Sequence, residues 1–398
     1  MSEDTADVPT TTTSPRRMAL LWALLPIALM AAAFAWLLGS DLTASFRNGA
    51  PPVENIAFER TVLDQDGLRL LVRAGGSEPM TIAQVQVDAA YWQFQLDPPG
   101  PVSRGSATWV NIPFPWVLGE AHNVTLVTNT GATFAHNIAV AVPTPQQNSG
   151  TMMRQAVLGA FVGILPVVAG LMFFPALRGA GPRAMRFLLA LTVGLLAFLL
   201  VDTLEEAFEF AAESAALFQG TGMVIFTAIG SFALLTAVSR REGSPSGIAL
   251  ATLIAIGIGL HNFGEGLAIG GAFAAGAAGL GTFLVMGFTL HNITEGIGIA
   301  APILRERLSL ARFATLALIA GGPAVVGIWV GSLATSPQWT ALALAVGAGA
   351  ILQVIIEVSL FAARGAPTLA GGLLRREMLG GVAAGLAVMY ATAMLVKI

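Results

Sequence analysis

Two copies of one polar motif lie in the middle of long apolar segments of this chain. HNFGEG occupies residues 261–266, and HNITEG repeats it at 291–296, thirty residues later. In each copy a histidine and a glutamate are four residues apart, which places imidazole and carboxylate one turn apart on the same helix face. Both groups are ligands for metal cations. The pair of motifs therefore predicts a cation site formed by His261, Glu265, His291 and Glu295.

The depth of these side chains in apolar segments makes the motif informative. A carboxylate at the centre of a membrane helix costs about 2.5–3.5 kcal/mol on insertion scales, and ionisable groups there usually face a pathway or a partner. The alternative is that these side chains are polar contacts that hold helices together. A motif that occurs twice at mid-depth favours the cation site.

Composition places the chain among membrane proteins. Of its 398 residues, 55% are apolar and only 11% are charged, and 45 are glycine. This bias predicts a polytopic protein whose environment is the lipid bilayer. The chain has no cysteine, so any metal must be held by histidine, carboxylate, amide or water. We expect no resident cofactor and no nucleic-acid partner.

The amino-terminal region divides into a tail and an anchor. Residues 1–17 are rich in Ser, Thr and Pro up to Arg16 and Arg17, and they predict a disordered cytoplasmic tail. Residues 18–40 are uncharged and too long for the apolar core of a cleaved signal. We therefore predict an uncleaved anchor helix, after which the chain lies outside the cytoplasm.

Residues 41–150 change to alternating segments separated by turn signals such as DQDG and DPPGP. About seven short strands within ~100 residues predict an all-β, immunoglobulin-like sandwich, with Trp92, Trp109 and Trp116 as core or corner aromatics. His122 and His136 raise the alternative of metal delivery, but isolated histidines without ligand spacing are more often ordinary residues. The sequence of this region does not indicate which partner it binds.

Residues 151–398 predict eight membrane spans from their uncharged runs. The expected limits are 153–177, 185–209, 215–239, 247–272, 278–304, 310–333, 339–362 and 376–396. Arginines cluster in alternate loops of this arrangement, at 178–186, 240–241, 305–312 and 364–376. By the positive-inside rule these loops are cytoplasmic, so both ends of the eight-helix core lie outside. We expect a multi-pass protein of a bacterial inner membrane, with a cytoplasmic amino terminus.

Further carboxylates lie in the predicted second and seventh core helices. Asp202, Glu205, Glu206 and Glu209 share one face near the outer end of the second helix. This acidic face predicts either an entrance that attracts cations or simply a solvated helix end. Glu357 lies deep in the seventh helix, four residues after Gln353. Because a carboxylate inside a membrane helix is costly, we predict a functional role for Glu357.

The eight spans and the two motifs resemble the ZIP (Zrt/Irt-like) family of divalent-metal transporters over about residues 153–398. The resemblance implies a mid-membrane metal site and uptake of zinc, iron or manganese toward the cytoplasm, with zinc as the first expectation. It implies ligands or neighbouring sub-sites at His261, Asn262, Glu265, His291, Asn292 and Glu295, with Asp202 and Glu357 at positions that are commonly polar. The fold class is then an eight-helix ZIP-like core with an anchor helix and a β-domain added.

The chain departs from the family pattern in two places. Members often have proline before the motif glutamate, where this chain has Gly264 and Thr294. Many also have a carboxylate before the proline of the sixth helix, where Gly322 precedes Pro323. Because glycine offers no ligand, a single-metal site is favoured over a two-metal site.

Three other classes of protein compete with a transporter. A metallohydrolase typically carries HExxH rather than HNxxEG, so we expect no enzymatic activity. A membrane-anchored sensor or receptor could use the β-domain to bind its partner. One helix would be enough to anchor such a protein, so the eight-helix core would not be needed. The third is a relative that has lost transport, which Gly322 suggests. Small-residue stretches such as 270–279 would permit close helix contacts and a homodimer.

Overall fold

The computed structural model describes residues 15–39, 52–179, 181–240, 243, 245–274, 278–333 and 336–396. The chain forms two compact units, Met1–Pro52 and Val53–Ile398. Residues 1–14 of the predicted tail, and the start of the predicted β region at 41–51, lie outside the described residues. Helix α1, Pro15–Gly39, occupies the first unit and begins three residues before the predicted anchor. Its apolar side chains from Trp22 to Leu37 are exposed within this unit.

The β-domain contains eight antiparallel strands in two four-stranded sheets. They are β1 Ile56–Asp64, β2 Gly67–Ala74, β3 Ile82–Val87, β4 Ala90–Trp92, β5 Gln95–Asp97, β6 Ala107–Ile112, β7 His122–Thr128 and β8 Thr133–Ile138. The strand orders are β1-β2-β6-β5 and β4-β3-β7-β8. The chain changes sheets after β2, β4 and β6, so neither sheet is formed from consecutive strands alone.

Alternating apolar residues of both sheets fill one common core in the β-domain. Leu68, Leu70 and Val110 of the first sheet are fully buried, as are Val124 and Leu126 of the second. Their neighbours along each strand are more exposed, which is the pattern of a sheet with one face packed and one solvated. The two small sheets therefore share one hydrophobic core.

The three tryptophans occupy different places in the β-domain. Trp92 packs edge-on against Phe114 at the border of the core. The indole nitrogen of Trp116 donates to the carbonyl of Asp64 at 2.8 Å. Trp109 lies on the outer face of its sheet, where Arg60 and Arg69 approach its ring at 5.8 and 5.9 Å. Trp92 and Trp116 are thus partly buried against the core, and Trp109 lies outside it.

The rest of the second unit is helical. The helices are α2 Ser149–Gly159, α3 Leu165–Leu171, α4 Phe174–Leu177, α5 Pro182–Glu213, α6 Gly220–Ser239, α7 Gly247–Ala274, α8 Ala278–Ala300, α9 Leu310–Ser332, α10 Pro337–Ala362, α11 Leu369–Leu373 and α12 Arg376–Val396. A π-helical turn, Ala160–Ile164, joins α2 to α3, and short 3₁₀ turns cover Ala216–Phe218 and Ala301–Ile303.

Six of these elements are long and apolar enough to cross a bilayer: Ser149–Leu177, Pro182–Glu213, Ala216–Ser239, Gly247–Ala274, Leu310–Ser332 and Pro337–Ala362. The protein is therefore a multi-pass membrane protein. The other two predicted spans are also helical, as α8 and α12. That α8 and α12 cross the membrane stays a prediction.

The β-domain and the arginines lie at opposite helix ends. The β-domain contacts the loop after α5 through Asn55 and Arg73, and the start of α10 through Glu59. The arginines predicted to share one side lie at the other ends of these helices: Arg183 and Arg186 begin α5, Arg240 ends α6, Arg312 begins α9 and Arg364 follows α10. We call this end of the molecule the arginine-rich side.

Glycines bring the motif helices into close contact with two others. A β-carbon at Gly266 of α7 would lie 3.0 Å from the Cα of Gly327 in α9, and one at Gly296 of α8 would lie 2.8 Å from the Cα of Gly170 in α3. Any side chain there would force the helices apart. Close small-residue contacts are how membrane helices approach without a hydrophobic driving force. They fix the position of both motifs.

Candidate metal centre

The two motifs meet in the interior of the helical bundle. His261, Asn262 and Glu265 lie on α7, and their counterparts His291, Asn292 and Glu295 lie on α8. All six residues are 6% exposed or less. The predicted convergence of the two copies is therefore present in the structure.

Glu265 is the centre of the cluster. Its Oε1 atom lies 2.6 Å from Nε2 of His261 and 2.7 Å from Nε2 of His291. One ligand atom from each of the three side chains lies within 4.8 Å of the others. His291 makes a hydrogen bond to Glu265, whereas Nε2 of His261 is near the same oxygen without hydrogen-bond geometry. Two imidazoles and one carboxylate are thus close enough together to bind a single cation.

The two asparagines are held by backbone carbonyls. Nδ2 of Asn262 donates to the Ala320 carbonyl of α9, and Nδ2 of Asn292 donates to the Val162 carbonyl of the π-helical turn, each at 3.0 Å. Each amide nitrogen thus has an acceptor, and the oxygen is the part of each amide that can still accept from or bind another group. Asn262 also contacts Glu295, at 3.5 Å between Nδ2 and Oε2.

Four oxygen atoms of the site have no hydrogen-bond partner within the part of the chain that the structure describes. They are Oδ1 of Asn262, Oδ1 of Asn292, Oε2 of Glu265 and Oε1 of Glu295, and all four are buried. Buried polar atoms in native proteins are nearly always hydrogen-bonded, so each exception needs an explanation. Four acceptors without donors, beside two imidazoles, form a donor set for a cation that accepts oxygen and nitrogen ligands.

Thr203 of α5 was not anticipated from the sequence. Its hydroxyl is 3.1 Å from Nδ1 of His261, and the side chain is fully buried. A partner on Nδ1 orients a histidine and fixes its tautomer, so that Nε2 is presented to a metal. The available signal in the sequence was weak: Thr203 follows Asp202, one of the predicted residues.

Asp202 and the acidic face lie beside the site rather than in it. Asp202 is half-buried on α5, directly before Thr203, whose hydroxyl is 3.1 Å from Nδ1 of His261. Glu206, one turn further along the same face, is partly buried. Glu205 and Glu209 are exposed. The face therefore leads from exposed carboxylates to the buried cluster.

Glu357 is not brought into the cluster. Its carboxylate is paired with Arg240 at 2.7 Å, at the arginine-rich end of α6. Position 347 of the same helix packs against the backbone of His261. Ten residues of α-helix correspond to about 15 Å, so Glu357 lies about that far along α10 from the site. The side-chain amide of Gln353 donates a hydrogen bond to the hydroxyl of Ser239.

A second internal repeat positions the site and was missed by sequence reasoning. Pro166-x-x-x-Gly170 in α3 and Pro323-x-x-x-Gly327 in α9 have the same spacing, and each glycine contacts the glycine of one motif. Proline removes the N–H that would donate to the carbonyl four residues earlier. For Pro166 that carbonyl belongs to Val162, the partner of Asn292. The repeated spacing was a usable signal.

Position 322 has no steric need for glycine. A β-carbon there would meet no atom within 4 Å. The lack of a carboxylate before Pro323 is therefore not enforced by crowding.

The histidines of the β-domain have separate, local partners. His122 is buried, and its Nδ1 is 2.8 Å from Asp88, whose pKa is lowered chiefly by the backbone N–H of Asn123. His136 contacts the hydroxyl of Thr61 at 2.8 Å and stacks on Phe58, and burial lowers its pKa. Each histidine is thus contacted at one ring nitrogen by a neighbouring side chain of the β-domain.

Comparison with known proteins assigns the chain to no family. The chain matches no protein-family model, and no curated protein matches it. The resemblance drawn from the motifs accordingly rests on the residues themselves.

Proposed function

We propose that the protein is a membrane transporter of divalent transition-metal ions, with zinc as its first substrate and iron or manganese as alternatives. The observation that carries the proposal is the buried donor set: two imidazoles on one oxygen of Glu265, together with four buried oxygens of the cluster that have no hydrogen-bond donor among the described residues. A structural polar contact would satisfy its own acceptors.

The surroundings of the donor set support transport rather than permanent binding. Amide and carboxylate oxygens with two imidazoles suit zinc, iron(II) and manganese without the thiolates that would hold a soft metal tightly. The acidic face on α5 would raise the local concentration of cations on the β-domain side. The metal would move from there toward the arginine-rich side, which is cytoplasmic in this proposal.

The proposal includes a ZIP-like architecture in a bacterial inner membrane. Helices at all eight predicted positions support an eight-helix core, and the distribution of arginines supports a cytoplasmic amino terminus and an external carboxyl terminus. We propose an immunoglobulin-like topology for the β-domain. Its orders β1-β2-β6-β5 and β4-β3-β7-β8 correspond to ABED and C′CFG, which supports that topology.

Flux into proteoliposomes tests the proposal. Purified wild type should take up zinc, and excess iron(II) or manganese should compete. The Glu265→Ala/Glu295→Ala variant should lose both zinc binding and uptake. A variant with two exposed carboxylates removed, Glu205→Ala/Glu209→Ala, serves as the matched control and should retain binding at saturating zinc.

Two outcomes would redirect the interpretation. Zinc binding without uptake in wild type would contradict transport and favour a membrane-anchored sensor with a transport-deficient core. Uptake that survived in the Glu265→Ala/Glu295→Ala variant would refute the site.

A further inference from the structure

A pocket lies in the β-domain at the β4 edge of the second sheet. It has a volume of about 500 Å³, and its lining includes three aromatic side chains, Tyr91, Trp92 and Phe94, and the side-chain amides of Gln84 and Gln93. None of the described residues that line the pocket is charged. Sites for small molecules are typically concave and largely aromatic, with a few polar groups that orient the ligand. The lining therefore suits an uncharged molecule.

The three aromatic residues of the pocket differ in how firmly they are held. Trp92 packs edge to face on Phe114, with ring centroids 5.0 Å apart, and Phe94 packs against the core. Tyr91 is 71% exposed, and its side chain makes no hydrogen bond to any residue that the structure describes. An exposed ring beside two held ones can stack on a bound molecule without any rearrangement of the core.

The two glutamines supply the polar groups of the pocket. Both are exposed, and neither side chain makes a hydrogen bond within the part of the chain that the structure describes. A side-chain amide has two N–H donors and one carbonyl acceptor, so it can donate to one hydroxyl group of a ligand and accept from the next. An ion would need a charged partner, whereas a molecule with neighbouring hydroxyl groups can use both amides.

The uncharged surface continues from the pocket across the sheet. Tyr91 of β4 is paired with Gln86 of β3, Gln86 with Thr125 of β7, and Thr125 with Ala135 of β8. This row lies on the face opposite to the core, because the residues on either side of it along β3 and β7 are buried. Its four side chains carry no charge and span about 14 Å, at about 4.8 Å per strand. An elongated ligand can therefore extend from the pocket over all four strands.

We propose that this pocket and the row beside it bind a neutral oligosaccharide. The C–H face of a sugar ring stacks on Tyr91, because the face of an aromatic ring carries negative charge density that attracts C–H groups. Gln84 and Gln93 form hydrogen bonds with hydroxyl groups of the same ligand. A peptide that added a strand at this edge could pair only with the three residues of β4, although backbone pairing gives that binding mode its affinity. The site is independent of metal transport.

Isothermal titration calorimetry of the full-length protein in lipid nanodiscs tests the site. Nanodiscs take the place of maltoside detergents, whose sugar head groups would compete for it. The probes are cellohexaose, chitohexaose and maltohexaose, which are neutral and differ in linkage or substituent, and an uncharged hexapeptide of Val and Thr. At least one of the sugars should bind wild type with a dissociation constant in the millimolar range or below, and the peptide should not bind.

Four variants place the binding at this pocket. Tyr91→Ala should weaken the binding of that sugar about fivefold, as expected for the loss of a stacked aromatic contact, whereas Tyr91→Phe should bind as wild type does because the ring remains. Gln84→Ala/Gln93→Ala should also weaken binding. Tyr390→Ala is the matched control, since Tyr390 of α12 is the other tyrosine of the chain and is 62% exposed, and it should bind as wild type does.

The temperature of unfolding should be the same in wild type and in Tyr91→Ala, because the side chain that is removed is exposed. The proposal is overturned if none of the three sugars binds or if the peptide binds instead. Full affinity in Tyr91→Ala or in Gln84→Ala/Gln93→Ala would overturn it as well. So would a loss in Tyr91→Phe or in Tyr390→Ala as large as the loss in Tyr91→Ala.

Discussion

Two buried carboxylates of this protein have opposite surroundings. Glu59 in the β-domain accepts hydrogen bonds from Arg73, from Ser336 at 2.7 Å and from Gln338 at 3.0 Å, and both of its oxygens are engaged. Glu265 in the membrane shares one oxygen between two histidines, and its other oxygen has no partner among the described residues. The first carboxylate is satisfied by the protein, and the second is not.

This difference separates structural contacts from ligand sites. A satisfied buried network rigidifies a fold, whereas unpaired buried acceptors are costly unless something else binds them. Glu59 joins the β-domain to Ser336, the N-cap of α10, where a negative charge also complements the helix dipole. Glu59 therefore attaches the β-domain to α10, whereas the unpaired oxygen of Glu265 supports the proposal that Glu265 is a metal ligand.

The largest effect should come from Glu265→Gln. The change removes the carboxylate that contacts both His261 and His291, so zinc affinity should fall at least about 100-fold, because the loss of a charged ligand in a dry site is worth several kcal/mol. Equilibrium dialysis with zinc measures this. The temperature of unfolding should change less than in Glu59→Ala. A variant that bound zinc normally would remove the distinction between the two carboxylates.

Glu59→Ala should be the most destabilising change at the other carboxylate. Removing one partner of a buried ion pair leaves Arg73 uncompensated and should cost about 3–5 kcal/mol. Denaturant unfolding monitored by tryptophan fluorescence reports it, because the β-domain carries three tryptophans. Asp64→Ala is a matched control, since Asp64 pairs with the half-exposed Arg69 on the same sheet and should cost less than about 1 kcal/mol. Equal losses in both variants would contradict the role of Glu59.

Lowering the pH should give the next largest effect, a loss of stability that depends on Glu59 of the β-domain. Burial by itself raises the pKa of Glu59, but Arg73, Ser336 and Gln338 outweigh burial, so the pKa lies below the ordinary value of 4.5. A lowered folded-state pKa stabilises the protein above the unfolded-state pKa, and this stabilisation is lost as pH falls through the folded-state value. Stability measured from neutral pH downward should therefore decline below about pH 4.5, and Glu59→Gln should flatten this decline. An equally steep decline in Glu59→Gln would assign it to other carboxylates.

The smallest effect should come from Glu357→Gln. Glu357 pairs with Arg240 about 15 Å along α10 from the cluster, so zinc affinity should change by less than about twofold, as expected for a group outside the ligand sphere. Equilibrium dialysis under the same conditions as for Glu265→Gln gives a direct comparison. A loss of affinity as large as that of Glu265→Gln would make Glu357 part of the site and would weaken the comparison.

The predicted elements follow from patterns that act locally. Alternating residues gave strands whose core is formed by Leu68, Leu70 and Val124, and long uncharged runs gave helices at the eight expected positions. Arginines such as Arg183, Arg240 and Arg312 were expected on one side and lie there. Local patterning decides these features because strand alternation and helix length depend only on neighbours in sequence.

The partners of the candidate site could not be read in the same way. Thr203 is 58 residues from His261, and Val162 is 130 residues from Asn292. Which helices touch depends on the close approach of glycines such as Gly266 and Gly327, and on proline positions that release carbonyls. The repeated Pro-x-x-x-Gly spacing marks the segments that approach closely, but three-dimensional packing decides which helix each of them touches.

The sequence by itself determined the chemistry of the candidate metal centre, since His261 with Glu265 and His291 with Glu295 must share helix faces at a spacing of four residues. The tertiary structure decided which groups remain unpaired. It joined both histidines to Glu265, turned the asparagine nitrogens toward backbone carbonyls, and paired Glu357 with Arg240. Whether a buried carboxylate is satisfied depends on partners from distant segments, and only packing brings those partners into reach.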